Sequence, residues 1–156
     1  MTNAYLYRCP AGVAGDVTRR ESAVISAEIL DTTTTPTVFG SPVTMVSGKI
    51  QPINADSEVV YGFLVRPYPS QGTSNEALET ATPDDSQIAD VMRRGYMTVK
   101  CTTGTPSKNA AVYVNWDDGT LQTTQGGNED LIPDCFFTGE GDANGNVEIS
   151  FGIAVS

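Results

Sequence analysis

No histidine occurs anywhere in the 156 residues. That absence removes the imidazole of Ser-His-Asp and Cys-His nucleophilic catalysis, the common general base, and the commonest metal ligand. Cysteine is scarce as well. Cys9, Cys101 and Cys135 are too few and too far apart for a disulfide framework, and their odd number leaves at least one thiol unpaired. With no Cys-x-x-Cys pair a structural zinc site is not expected, and each Cys reads as a small buried hydrophobe in a chain made in a reducing compartment. Long apolar runs are missing too. None approaches the ~20 residues that span a bilayer, and MTNAYLYRCP lacks the h-region of a signal peptide, so the expectation is synthesis in a cytoplasm without membrane contact. Leu, Lys and Glu, the usual helix builders, are few, whereas Thr, Gly, Val and Asn favour strands and turns.

Positive charge is absent from the last third of the chain. Beyond Lys108 there is no Lys or Arg, only Asp117, Asp118, Glu129, Asp130, Asp134, Glu140, Asp142 and Glu148. Residues 1–20 carry Arg8, Arg19 and Arg20 against Asp16, a balance of +2 set against −12 for the remainder. So acidic a body repels phosphate and is not expected to bind nucleic acid; the basic segment suits an acidic protein surface instead. The length fits one domain with a single core. Pro10, Gly12 and Gly15 give the first twenty residues neither helical nor strand periodicity, so the division expected is an extended N-terminal arm over 1–20 and a single β-domain over 21–156.

Strand signals then follow one another. ESAVISAEILD (21–31) is rich in Val and Ile and runs into the Thr-rich stretch before Pro36; Pro42 to Ile53 carries Val43, Met45, Val46 and Ile50 around a break at Ser47-Gly48. EVVYGFLVR (58–66) is almost continuously apolar, as expected of a central strand covered on both faces, and Pro67 and Pro69 stop it. Residues 70–90 are polar and acidic and read as a solvated loop, with one helical turn near 75–78. ADVMRRGYMTVKC (89–101) suggests one or two strands bent at Gly95. Val112, Val114 and Trp116 share a face before the Asp118-Gly119 turn, Leu121 to Thr124 returns, and Asp134 to Thr138 adds a short strand. In the last ten residues Val147, Ile149, Phe151, Ile153 and Val155 alternate with Glu148, Ser150, Gly152 and Ala154 after the Asn144-Gly145 turn. Many short strands without a long helix predict an all-β, jelly-roll-like β-sandwich.

Chemistry is harder to find. The run Asp142 to Val147 places oxygen ligands at alternate positions, but an EF-hand needs Gly sixth and Glu twelfth where this chain has Val147 and Ile153, and a hairpin turn explains the same residues. Asp84-Asp85 and Asp117-Asp118 are sequence neighbours, which in a strand point to opposite faces and do not flank one bond. Gly12 and Gly15 neither follow a strand nor open a helix, so no phosphate cradle is implied. No cofactor and no enzymatic activity are expected. The aromatic residues, Trp116 among them, leave a lectin-like carbohydrate-binding sandwich as an alternative, and a tail or baseplate module as another, although core or interface anchoring explains most of them.

The segments PAGVAGDVTR (10–19), VSGKIQPI (46–53), VYGFLVRPYP (60–69), ADVMRRGYMTVK (89–100), VYVNW (112–116) and GDANGNVEISFGI (141–153) occur in an order that resembles the structural cement proteins of tailed bacteriophage heads. The resemblance spans nearly the whole chain, with VYGFLVRPYP followed by RRGYMTVK as its most specific part. It implies a homodimeric jelly-roll-like domain on the outside of the head that bridges neighbouring major capsid subunits, with no catalytic residues. The lead MTNAYLYRC is longer, and the stretch after Trp116 shorter and more acidic, than the family pattern. On this reading Arg8, Arg19 and Arg20 are the candidate capsid contacts, pairing with carboxylates, while Arg66, Arg93 and Arg94 pair with acids of the body.

Overall fold

The computed structural model describes residues 12–67, 83 and 88–153. Arg8, Cys9 and most of the 70–90 loop, including its helical turn, lie outside them. Among the described residues there is no α-helix, only one 3-10 turn at Arg20–Ser22. Nine strands run β1 (Val24–Ile29), β2 (Pro42–Val46), β3 (Lys49–Pro52), β4 (Gly62–Leu64), β5 (Ile88–Thr103), β6 (Ala111–Asn115), β7 (Leu121–Gln122), β8 (Glu129–Phe137) and β9 (Asn146–Phe151).

The organising element is β5, 16 residues long. Its second half belongs to a ring of pairings: β5 to β9, β9 to β8, β8 to β6, β6 to β7, and β7 back to β5 in a parallel pair. Its first half lies between β1 and β4; β4 pairs β2, β2 pairs β3, and a bridge from Leu30 to Ile50 returns to the end of β1. The change of lobe comes at Gly95. Its φ of 136° is open to glycine, and a Cβ there would stand 3.0 Å from the Cα of Ala23. The bend expected at Gly95 is therefore present, within one continuous strand. The all-β, sandwich-like expectation holds, refined by ladders that close on themselves and so leave few free edges.

Two packed clusters fill the lobes. Met97, Val99, Val112, Val114, Ile132, Phe137, Val147 and Ile149 centre the larger one; Leu30, Phe39, Val43, Ile50, Leu64 and Val91 form the smaller. The wall between them explains the unbroken apolar run around 60–66. Phe63 and Met92 point into the larger cluster while their neighbours Leu64 and Val91 point into the smaller, so the period of two buries both faces. Phe63 meets Phe151 edge-on at 5.2 Å within the larger cluster. The ladder itself is shorter than the apolar run, for β4 is only three residues long and Val59 is 77% exposed.

Local turn chemistry acts where the sequence placed it. Ser47 and Gly48, with φ of 51° and 79°, make the two-residue turn between β2 and β3, where Val46 pairs Lys49. Before β9, the Asp142 carboxylate accepts from the backbone N–H groups of Asn144 and Asn146, and Gly145 takes a φ of 82°. That carboxylate is thereby engaged as the hairpin's Asx cap.

Residues 12–18 lie along β5. The Gly15 N–H donates to the Thr98 carbonyl, the Thr98 N–H to Asp16, and the Thr18 N–H to Tyr96, with Val17 bridged to Met97. Gly15 carries a φ of 94°, and a Cβ would approach Phe39 Cβ to 2.7 Å and Arg66 Cβ to 3.0 Å. At its end the Thr18 hydroxyl donates to Glu148, on the side of β9 opposite its apolar face.

Candidate docking surface

The basic residues sort into committed and uncommitted ones. Arg19 is committed. Its guanidinium donates to Glu148 at 2.8 Å and stands 4.0 Å over the Tyr96 ring. Glu148 also accepts from the hydroxyls of Thr18 and Thr138. Partial burial pushes its carboxyl up, but the hydrogen bonds from Thr18, Thr138 and Arg19 and the Arg19 charge outweigh it, so the pKa lies below the ordinary value. The residue that the alternation of β9 turned away from the core thus anchors the Thr18–Arg19 end of this stretch, whose backbone is held along β5. Nothing in the spacing links Arg19 to a partner 129 positions away.

Arg93 stacks 3.4 Å over the ring of Tyr61, whose hydroxyl donates to Glu28 at 2.6 Å. That hydrogen bond, with burial, raises the Tyr61 pKa. The pairing of Arg93 with the body is therefore through an aromatic face, with the acid one side chain further on. Arg66 is buried.

Arg20 and Arg94 are different. Both side chains are exposed, and neither makes a hydrogen bond or ion pair among the described residues. The chain brings them to one place. Arg20 opens the 3-10 turn that ends in the Ala23 N–H bond to its own carbonyl, Ala23 abuts Gly95, and Val24 pairs Arg94 across the ladder. With Glu21 exposed beside Arg20, the two guanidiniums still leave a small local excess of positive charge in a chain of net charge −10. From it runs a stripe of exposed apolar side chains along β1 and the start of β5: Val24, Ile25, Ile29 and Ile88, between 45% and 64% exposed. Free guanidiniums beside an apolar strip suit a protein surface carrying carboxylates.

Other candidate sites recede. Among the described residues no group of three or more Cys, Asp or Glu side chains is placed to hold a metal. Trp116 is half-buried and packs against the larger core, which takes away the most suitable platform for stacking a sugar. A cavity of about 260 Å³ between the lobes, lined by Phe39, Pro42, Lys100, Asp118 and Leu121 among others, is small beside the ~300–1,000 Å³ of ordinary ligand pockets.

A family model described as structural cement protein (E217 gp24/Pam3 gp6) matches residues 1–152. The chain belongs to this family. Among solved structures it is similar to a chain from the capsid of Myoviridae phage XM1, at 20% identity, 96% coverage of both chains and a TM-score of 0.73; that likeness shows a shared fold. No curated protein sequence matches it. The cement protein is accordingly a structural component of a phage capsid, and the surface around Arg20 and Arg94 is its candidate contact.

Proposed function

We propose that this cement protein binds the outer surface of the expanded phage head as a homodimer and bridges neighbouring major capsid subunits, after synthesis in the host cytoplasm. It acts by binding alone, without catalysis. Membership of the structural cement family over residues 1–152 is the observation that carries the reading. A clip that binds only the expanded lattice stabilises it by mass action, and a dimer engaging two sites gains ~10²- to 10⁴-fold in avidity, so neither contact alone has to be strong. Arg20 and Arg94 would supply charge-assisted hydrogen bonds to capsid carboxylates. Arg8 stands as a further contact in the segment outside the described residues. Arg19 would have to exchange Glu148 for a capsid acid, and its contribution is correspondingly smaller.

Purified protein added to expanded capsids lacking it should co-sediment with them and raise their resistance to heat; no binding at micromolar concentration refutes the proposal. The double variant Arg20→Glu, Arg94→Glu should fold normally and bind at least ~10-fold more weakly, with a flatter salt dependence. Unchanged affinity would move the contact elsewhere on the molecule.

A further inference from the structure

Asn144 is the one asparagine of the chain that is followed by glycine. Such a pair carries its own electrophile and nucleophile. The glycine nitrogen attacks the asparagine carboxamide, and glycine has no side chain to crowd the approach. The fold treats the two halves of the pair differently. The Asn144 side chain is exposed and makes no hydrogen bond among the described residues, so its Cγ is open to attack. The Gly145 nitrogen is held.

Ala143, Asn144 and Gly145 form the loop that leads into β9. The Gly145 N–H donates to the Asp142 carbonyl at 3.1 Å, and the Gly145 φ is 82°. The Asp142 carboxylate grips the amides on either side: Oδ1 accepts from the Asn144 N–H at 2.8 Å and from the Asn146 N–H at 2.9 Å, and Oδ2 accepts from Asn146 Nδ2 at 3.3 Å. From β5 the Cys101 N–H donates to the Gly145 carbonyl at 2.9 Å. To reach Cγ of Asn144, the Gly145 nitrogen has to leave its own hydrogen bond and swing about the Asn144 Cα–C bond. That motion turns the peptide planes that Asp142 and Cys101 hold, so the reaction runs through an opened loop.

We infer that Asn144 is a deamidation site whose rate is set by the Asp142 cap. In the opened loop the Gly145 nitrogen loses its proton and bonds Asn144 Cγ, and ammonia leaves to give a succinimide. Water then opens the ring at either carbonyl, giving aspartate or isoaspartate. Both products add one negative charge, and isoaspartate also adds a methylene to the backbone. The β5 side has no room for a longer loop, since even a Cβ on Gly145 would stand 2.7 Å from the Cys101 carbonyl oxygen. Asn146 pairs with Lys100 next in the ladder, and Glu148 follows two residues on. Isoaspartate at this position accordingly loosens the start of β9 and the anchor that Glu148 gives to Thr18 and Arg19.

The purified full chain, kept at neutral pH and physiological temperature, tests this when the segment around Asn144 is followed by peptide mass and isoaspartate content. Unfolded in urea, the wild type, Asp142→Ala and Asp142→Asn should deamidate at one common rate, because the loop is open in each. Folded wild type should be at least ~30-fold slower than in urea. Folded Asp142→Ala loses both caps and should run at least ~5-fold faster than folded wild type, whereas Asp142→Asn, whose side-chain oxygen still accepts from both amides, should stay within ~3-fold of it. Folded wild type that deamidates as fast as in urea, folded Asp142→Ala no faster than wild type, or Asp142→Asn as fast as Asp142→Ala would each overturn the inference. If Asp142→Ala does not fold, wild type in sub-denaturing urea decides. Deamidation should then rise in step with hydrogen exchange at the Asn144 and Asn146 amides, and a rate indifferent to that exchange would overturn the inference as well.

Discussion

Replacing Glu148 with Gln tests how much one carboxylate adds to the backbone bonds that hold the 12–19 stretch. Glu148 accepts three side-chain hydrogen bonds, from Thr18, Arg19 and Thr138, and its side chain is only 16% exposed. A hydrogen bond to a charged group contributes ~1.5–3 kcal/mol, but the Arg19 side chain is 54% exposed and screening reduces its share below ~1 kcal/mol. Gln keeps one acceptor oxygen and turns an N–H₂ group towards donors that need none, so the net loss should be about 1–2 kcal/mol. For a chain of this size that lowers the melting temperature by about 3–6 °C at pH 7. The pH dependence supplies the sharper check. The folded-state pKa is depressed, so the stabilisation is fully present above the unfolded value of ~4.3 and is lost as pH falls through the folded one. Calorimetric melts of both proteins from pH 7 downwards should converge below that point, where the wild-type carboxyl is itself protonated. Faster exchange of the Thr18 amide, bonded at 3.0 Å to the Tyr96 carbonyl, should accompany the change at neutral pH. Equal melting temperatures at pH 7, or a gap that does not close on acidification, would refute the reasoning.

Two glycines separate backbone strain from collision. Gly15→Ala meets both, because φ is 94° and Phe39 Cβ lies 2.7 Å from the new methyl; it should cost about 2–4 kcal/mol, read as a lower urea midpoint with unchanged slope. Gly48→Ala, at a φ of 79° with nothing within 4 Å, should cost only the ~1–2 kcal/mol of a left-handed L-residue. Burial pushes the Cys135 thiol far above its ordinary value, so Cys135 should resist iodoacetamide in the native protein and react on unfolding; labelling of the folded form, read by peptide mass, would contradict the packing.

Features set by a few adjacent residues were legible from the chain alone. The turns at Asp118-Gly119 and Asn144-Gly145 stand where the sequence put them, because positive φ and short polar side chains are local requirements, and the break at Ser47-Gly48, open in the sequence to a bulge or a turn, is a turn between two strands. The alternation of β9 likewise revealed Val147, Ile149 and Phe151 as core residues, although the strand ends at Phe151 and Ile153 is only partly buried. β8 was only partly visible. Its first residues, Glu129 to Pro133, resemble a loop in composition, yet Glu129 to Leu131 pair with β6, the register shifts before Phe136, and Asp134 takes a φ of 52°. The candidate site was legible in fragments: Arg20 by its charge and β1 by its Val and Ile content. That the apolar side chains of β1 stand half-exposed was not, because an edge strand and a core strand are written in the same residues.

The sequence by itself determined an all-β protein without imidazole chemistry, with its acidity concentrated away from the first twenty residues, and its order of segments pointed to the cement family. Only the tertiary structure decided which charges are free. Arg19 and Arg20 are adjacent in the chain, yet one is bound to Glu148 and Tyr96 and the other faces solvent, since a partner is chosen by which strands the closing ladders bring alongside. The parallel return of β7 to β5 and the bridge from Leu30 to Ile50 depend on contacts distant in sequence, and no local propensity encodes them.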